Sequence, residues 1–238
     1  MHLGPTYIVD TFAEAFRMRF VRLIVTAADD YWLEAALREF CGYGTSVIGC
    51  DAEVGVERRL GSRETPDGRP GAAVMAFAFN ADALAGAIPN RTGQCLMTCP
   101  TTAVFDGMPG SAESIALGGR LRFFGDGQQK SKLIDGRRYW RVPVMDGEFL
   151  IEDKVGVSKG VAGGNIIIQS ATQETTLAAT RRAIEEAAEI AGVVTPFPGG
   201  AVRSGSKVGS RYRGLVASTN DAFCPTLRGR VESELLDG

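Results

Sequence analysis

A chain of 238 residues that is 45% hydrophobic and 23% charged can bury one large core or two small ones, and is too apolar to stay disordered. Its formal charge of -2 gives no general attraction to nucleic acid or to an anionic membrane, so any polyanion would have to be held by a local basic patch. No run approaches the ~20 apolar residues of a membrane span, and Met1-His-Leu-Gly-Pro5 lacks the basic start and apolar core of an export signal, so a cytoplasmic protein with no membrane partner is expected.

Taken in order, residues 17–26 alternate basic and apolar side chains and turn continuously apolar at Leu23-Ile24-Val25, which predicts a strand with one end near solvent. Arg17, Arg19 and Arg22 read as lateral protection of an edge strand. Asp29 or Asp30 supplies an N-cap for a helix through Phe40, with Trp32, Ala35, Ala36 and Phe40 on one stripe and Gly42 past its end. A short strand is expected over 45–50, then a long polar loop over 51–71 carrying the turn signal Glu64-Thr-Pro-Asp-Gly-Arg-Pro-Gly71.

Residues 72–79 form the third strand of the prediction, 82–88 a short helix stopped by Pro89, and 119–124 and 138–144 two further strands, with Phe123 and Phe124 packed in the core. The first half therefore carries the β-α-β-β-α-β order of a ferredoxin-like unit with insertions. The stretch 146–165 joins this unit to a second one: an alternating run over 148–157, a Ser158-Lys-Gly160 turn, then Gly160-Val-Ala-Gly-Gly-Asn165 before Ile166, Ile167 and Ile168.

The second half repeats the opening of the pattern. A strand is expected over 163–170, a helix over 175–191 with Leu177, Ile184, Ala188 and Ala191 on one face and Gly192 at its end, and another strand from Gly200. The expected division is 1–145 and 146–238, an α+β protein of two ferredoxin-like lobes whose second lobe stops after β-α-β. Such a remainder leaves a sheet edge and an apolar helix flank that a partner or further chain would cover.

Cys41, Cys50, Cys95, Cys99 and Cys224 are an odd count without the dense spacing of a disulfide scaffold, so reduced thiols are expected. Cys95 and Cys99 form a C-x3-C pair, but the single histidine, His2, is terminal; buried inert thiols and no metal site follow. Gly205-Ser-Lys207 lacks the spacing of a phosphate-binding P-loop, which excludes nucleotide hydrolysis, and the Phe123-Phe124 pair lacks the pattern of an RNA-stacking sheet.

Asp10-Thr-Phe-Ala-Glu-Ala-Phe16, Gly44-Thr-Ser-Val-Ile48, residues 64–71, Gly93-Gln-Cys95, Phe123-Phe-Gly-Asp-Gly127, residues 160–165, Pro196-Phe-Pro-Gly-Gly200, Ser206-Lys-Val-Gly-Ser210 and Ala217-Ser-Thr-Asn-Asp-Ala-Phe-Cys-Pro-Thr226 together resemble the formylmethanofuran:tetrahydromethanopterin formyltransferase family, from about Asp10 to about Thr226. The resemblance implies two ferredoxin-like lobes, named proximal (1–145) and distal (146–238), in a dimer, a tetramer or a formyltransferase/hydrolase complex. It implies transfer of a formyl group between the amine of methanofuran and N5 of tetrahydromethanopterin, these two being co-substrates, with no bound cofactor or metal. In the family the distal lobe continues past the Cys-Pro-Thr motif into a strand with a glutamate important in catalysis, so a catalytically silent subunit that binds pterin or furan, or scaffolds a complex, is the competing expectation.

Formyl transfer between nitrogens passes through a tetrahedral oxyanion, so it needs hydrogen-bond donors at that oxygen and a proton carrier for the amines. With no usable histidine the carrier is a carboxylic acid, a tyrosine or the substrates themselves, and an acid would need its pKa raised by burial. Glu148, Glu152, Asp153, Asp126 and Asp221 lie near glycine-rich turns, where exposed turn acceptors are the ordinary outcome, and none is assigned catalysis. Residues 203–213 hold Arg203, Lys207, Arg211 and Arg213 with no acid, between Ser204, Ser206, Ser210 and several glycines, which suits an anionic substrate tail. Gly163, Gly164 and Asn165 would let substrate lie against backbone, and Gln94, Asn220 and Asp221 complete the expected substrate-binding set.

Overall fold

The computed structural model describes residues 1–11, 13–205 and 207–235. A small exposed hairpin, β1 (His2–Leu3) and β2 (Thr6–Tyr7), precedes β3 (Ala15–Thr26). There follow α1 (Asp30–Cys41), β4 (Glu53–Leu60), β5 (Gly71–Ala78), α2 (Ala81–Arg91) and β6 (Ala103–Asp106). These strands lie in the order β4-β5-β3-β6 with antiparallel neighbours, which is the split β-α-β arrangement of a ferredoxin-like unit.

Both helices cover one face. Val21, Leu23 and Val25 of β3, Val54 of β4 and Val74 and Ala76 of β5 meet Leu33, Leu37 and Phe40 of α1 and Leu84 and Ile88 of α2 in the main core. Asp29 caps α1 by accepting the Trp32 amide at 3.1 Å. The other end of α1 is closed by Arg91, which donates to the Phe40, Gly42 and Tyr43 carbonyls at 2.7, 2.9 and 3.1 Å while Asp51 balances its charge. A buried guanidinium thus satisfies the carbonyls that a helix C-terminus leaves open.

The sheet then grows. After β7 (Glu113–Ala116) and α3 (Gly118–Leu121) come β8 (Lys130–Ile134), β9 (Arg137–Val144), β10 (Gly147–Glu152) and β11 (Lys154–Gly163). β10 runs parallel to β6, β9 and β8 continue antiparallel, and β11 returns to pair with β3 and β7, giving nine strands. The expected boundary at 145/146 is the turn between β9 and β10, and the sheet runs straight across it to Gly163. Beyond lie α4 (Gln173–Ala188), which buries no residue, and the two-residue pair β12 (Lys207–Val208) and β13 (Ala217–Ser218). The result is a mixed α+β fold with one large sheet and few helices.

Several local expectations are corrected. Residues 45–50 form turns in which the Gly49 and Cys50 amides both reach Ser46 O, and the second strand is β4, inside the span read as a polar loop. Its acids and arginines hid the alternation, because Glu57 turns inward at a β-bulge between Val56 and Arg58. Pro89 does not stop α2: the Ala85 carbonyl that its missing N–H would leave empty accepts Arg120 Nη1, and the helix runs on into a π-helical turn, Thr92–Leu96. Residues 119–124 are helical, not a strand; Leu117 and Leu121 are buried one turn apart, while Phe123 and Phe124 are 66% and 61% exposed rather than core.

Ser158-Lys-Gly160 is no turn but part of β11, and the strand ends at Gly163 and Gly164, whose φ of +91° and +80° an L-residue strand cannot adopt. Residues 165–170 are irregular, and among the described residues after Gly200 the only strands are the short β12 and β13, with 3-10 turns at Asp221–Phe223 and Pro225–Leu227 in place of the expected strand. β3 is central, paired along both flanks, so its arginines protect no edge; Arg22 turns to Glu57 and Arg19 to Glu113.

Candidate functional site

Part of the expected substrate-binding set converges. Pairing of β12 with β13 brings Lys207 to Asp221, whose carboxyl is held below its ordinary range by the hydrogen bond from the lysine. The Asn220 amide donates to Ser204 O at 2.8 Å, and a Cβ on Gly205 would sit 3.4 Å from that of Asn220. Ser210 follows β12 and its hydroxyl accepts the Tyr212 amide at 3.1 Å; Arg211 is exposed, and Ser206 lies outside the described residues. Lys207 therefore arrives with its charge already answered by Asp221, a weaker anion holder than the sequence suggests.

Gln94 stands apart, on the π-helical turn of the helix layer, where its carbonyl accepts Thr98 Oγ1 at 2.7 Å. Gly163, Gly164 and Asn165 lie at the sheet's far end beside Phe16. A Cβ on Gly163 would fall 3.0 Å from the Phe16 ring, whereas one on Gly164 would meet open space, so the backbone there is approachable.

The helix-free face of the sheet offers a more complete site. Met18, Met75 and Phe77 are buried there, with Phe20, Val47, Ala162 and Val194 packed against them. The Phe20 and Phe77 rings stack at 5.3 Å and 25° over Gly160, where a Cβ would come within 2.9 Å of one ring and 3.0 Å of the other. The shelf opens at one end onto Phe16 and Phe79, 52% and 58% exposed. At the other end the chain after α4 is seated on it: Val194 fills the space that Gly55 leaves, and the Gly192 amide donates to Glu57 at 2.7 Å. Glu57 is buried and held by two nitrogens of Arg22, with Nε at 2.5 Å.

Glu53 stands on this face directly across the ladder from Phe77. Its carboxylate accepts the Val47 amide at 3.2 Å, and partial burial raises its pKa, offset in part by that hydrogen bond. Reading 51–71 as a loop concealed it; the signal available was the alternation Glu53, Gly55, Glu57 against Val54 and Val56.

The carboxylates singled out in the sequence are mostly engaged elsewhere. Glu152 is buried, accepting Arg137 Nε at 2.6 Å and the Asp106 amide at 2.8 Å; this pairing raises Arg137 above its ordinary range. Glu148 pairs with Arg141, Asp153 accepts Trp140 Nε1 at 2.6 Å, and Asp126 is an exposed left-handed turn residue. A cavity of about 340 Å³ beside Glu152 is lined by Ser111, Arg137, Lys154 and Gly156, with its central charges paired to one another. Among the described residues no three His, Cys, Asp or Glu are placed to hold a metal ion, all five cysteines are unpaired, and no helix is long and apolar enough to cross a membrane.

Comparison with known proteins agrees along the whole chain. The family described as formylmethanofuran-tetrahydromethanopterin formyltransferase matches residues 1–144, and the one described as its proximal lobe matches 147–238, so that label falls on the second segment. A relative from Methylobacillus flagellatus named formylmethanofuran–tetrahydromethanopterin formyltransferase is 53% identical over 99% of this chain and 79% of its own length. The formyltransferase structure from Methanosarcina barkeri superposes with a TM-score of 0.93 at 43% identity, covering 99% of this chain and 80% of that one. The formyltransferase/hydrolase complex of Methylorubrum extorquens with methylofuran gives 0.95 at 47% identity, covering 99% and 78%.

Proposed function

The chain belongs to the formylmethanofuran–tetrahydromethanopterin formyltransferase family, and from that membership we infer how its residues serve the reaction. It is a transferase of one-carbon metabolism, moving a formyl group between formylmethanofuran and tetrahydromethanopterin. The observation that ties the reaction to a place is the aromatic shelf of Phe16, Phe20, Phe77 and Phe79, open at one end and overhung by the Val194 segment at the other. Flat furan and pterin rings stack on such surfaces, while the approachable backbone at Gly164 and the amide of Asn165 would hold a polar part of the same molecule.

The distances favour a division of roles. Three inter-strand steps separate Glu53 from Ser158, and Gly163 lies five residues further along β11, so the two ends are roughly 20 Å apart. They would contact different parts of extended substrates rather than one reacting atom. Attack of one nitrogen on the formyl carbon requires a proton to leave it and another to reach the departing amine, which side chains and substrates can manage without a resident cofactor. We assign Lys207 and Arg211, with Ser206, Ser210, Asn220 and Asp221, to the anionic or polar tail of a substrate, and Gln94 to a contact from the helix layer. The five unpaired thiols suit a reducing, cytoplasmic setting.

The test is direct. The purified chain, given formylmethanofuran and tetrahydromethanopterin, should yield N5-formyl product; a chain that binds neither compound and transfers nothing refutes the assignment. Replacing Lys207 or Arg211 with Ala should raise KM more than it lowers kcat, and an unchanged KM removes them from the site. The likeness to a formyltransferase/hydrolase complex also favours work as a subunit or a homo-oligomer, which the native mass of the purified chain would reveal.

A further inference from the structure

The large sheet ends at β8, opposite β4, and every residue of β8 is exposed. One of its flanks pairs with β9; no other described strand takes the second, which leaves a row of amides and carbonyls open. Cross-strand partners share a face, so the ladder sorts the side chains here into two sets. Lys130 and Lys132 stand with Arg141 and Tyr139 on the helix-free face, whereas Ser131 and Leu133 stand with Trp140 and Arg138 on the face that packs against the main core. On that second face the Arg122 guanidinium lies 4.7 Å from both the Phe123 and the Trp140 rings, its Nε buried and without a hydrogen-bond partner, and Phe123, Phe124 and Leu133 are exposed. Residues 118–144 carry seven lysines and arginines against Asp126 and Asp135, in a chain whose formal charge is -2. Arg137 and Arg141 are answered by Glu152 and Glu148, but Arg122, Lys130, Lys132 and Arg138 are in no ion pair among the described residues.

We propose that β8 is a docking edge for an extended segment of another protein in which acidic and apolar residues alternate. Such a segment adds a further strand to the sheet. Its backbone completes the open hydrogen bonds, its acidic side chains fall on the face of Lys130 and Lys132, and its apolar ones fall on the face of Leu133 and the Phe123–Arg122–Trp140 stack. A second copy of this chain is the poorer occupant: two β8 strands paired antiparallel about their centre put Lys132 opposite Lys132, and like charges directly opposed destabilise a ladder. Edge lysines thus keep identical edges apart while attracting an acidic strand. Solvation alone accounts for the two lysines, but not for the exposed phenylalanines and leucine gathered with a stacked arginine on the other face. The docking edge is independent of the formyl-transfer reading above.

Fluorescence anisotropy of a labelled short peptide alternating Glu and Val, titrated with the full chain, measures the docking. A peptide alternating Lys and Val, the Glu peptide N-methylated along its backbone, and a labelled oligouridylate serve as comparisons. The Glu peptide should bind and weaken as salt is raised, and its N-methylated form, which cannot donate to the edge, should not bind. Lys130→Glu combined with Lys132→Glu should bind the Glu peptide at least about tenfold more weakly and take up the Lys peptide instead, a swap that an unfolded variant could not make. Lys132→Gln alone should cost about threefold, and Phe123→Ala about threefold to tenfold without changing the salt dependence. Equal binding of the Glu and Lys peptides, undiminished binding of the Glu peptide by the double variant, or no binding at about 1 mM peptide overturns the proposal. Tighter capture of the oligouridylate than of the Glu peptide overturns it in favour of a nucleic-acid surface. A dimer in sedimentation that the double variant abolishes gives the edge to a second copy.

Discussion

Removal of the Glu57 carboxylate should loosen the chain after α4 from the sheet before it unfolds anything else. Glu57 has a side chain 1% exposed, whereas Arg22 is 31% exposed and Gly192 is at the surface. Breaking a buried pair by deleting one partner costs ~3–5 kcal/mol, and the exposed part of Arg22 recovers some of that through water, which favours the lower end of the range. The hydrogen bond from the Gly192 amide to a charged acceptor adds at most ~1.5 kcal/mol, since the freed amide is rehydrated. Glu57→Ala should therefore destabilise by ~3–4 kcal/mol, a drop of roughly 6–16 °C in Tm for a chain of this size. Urea unfolding would measure the loss, and amide exchange at Gly192 would locate it. Exchange there should accelerate well beyond that of β5, and Glu57→Gln should reproduce most of the effect because it presents an amide to Arg22. A Tm within about 2 °C of wild type, with Gly192 equally protected, would refute the latch.

Three further outcomes are expected. Gly160→Ala should cost ~1–3 kcal/mol in urea unfolding, since its Cβ would displace the stacked Phe20 and Phe77 rings; a neutral substitution would show that the rings move freely. Burial pushes the Cys41 thiol up to about 11 against the pull of Arg91 and Arg59. At Cys50 burial is the largest single influence and pushes the thiol up, but hydrogen bonds from Ser46 and Thr45 together with the charge of Arg91 outweigh it, leaving it below its ordinary value. Iodoacetamide at pH 8 should accordingly label Cys50 first and Cys41 last, by mass spectrometry of timed digests. The folded protein holds the Glu53 proton more tightly than the unfolded chain does, so its stability falls as pH rises from the unfolded glutamate pKa through the raised folded one. Glu53→Gln should then be more stable than wild type at pH 7 and equal to it near pH 4; a gap that does not change with pH would contradict the desolvation.

The β-α-β-β-α-β order was legible because β3, α1 and β5 announce themselves locally: an apolar run, a capped stripe ending at Gly42, and a strand buried at each position. β4 was not legible, because half its outward alternation is charged and its inward Glu57 answers Arg22, a residue far off in the sequence. The same long-range pairing hid the site, since nothing near Glu53 in the chain announces that Phe77 will lie beside it. Lys207 and Asp221 were legible as residues of interest but not as each other's partners. The glycines gave the opposite lesson: Gly163 and Gly164 mark a true break, whereas Gly160 serves ring packing inside a strand.

β3 also sets a timetable. It leaves the ribosome first among the sheet strands, yet its two flanks are claimed by segments made much later: Val25 waits for Ala72, and Val21 waits for Val157. Until β11 emerges, half of one edge of β3 is an open hydrogen-bonding template flanked by Met18 and Phe20. Synthesis thus leaves residues 15–21 of β3 without their β11 partner until the last strand of the sheet is made, a long-range pairing of the kind that slows folding and exposes an edge to association.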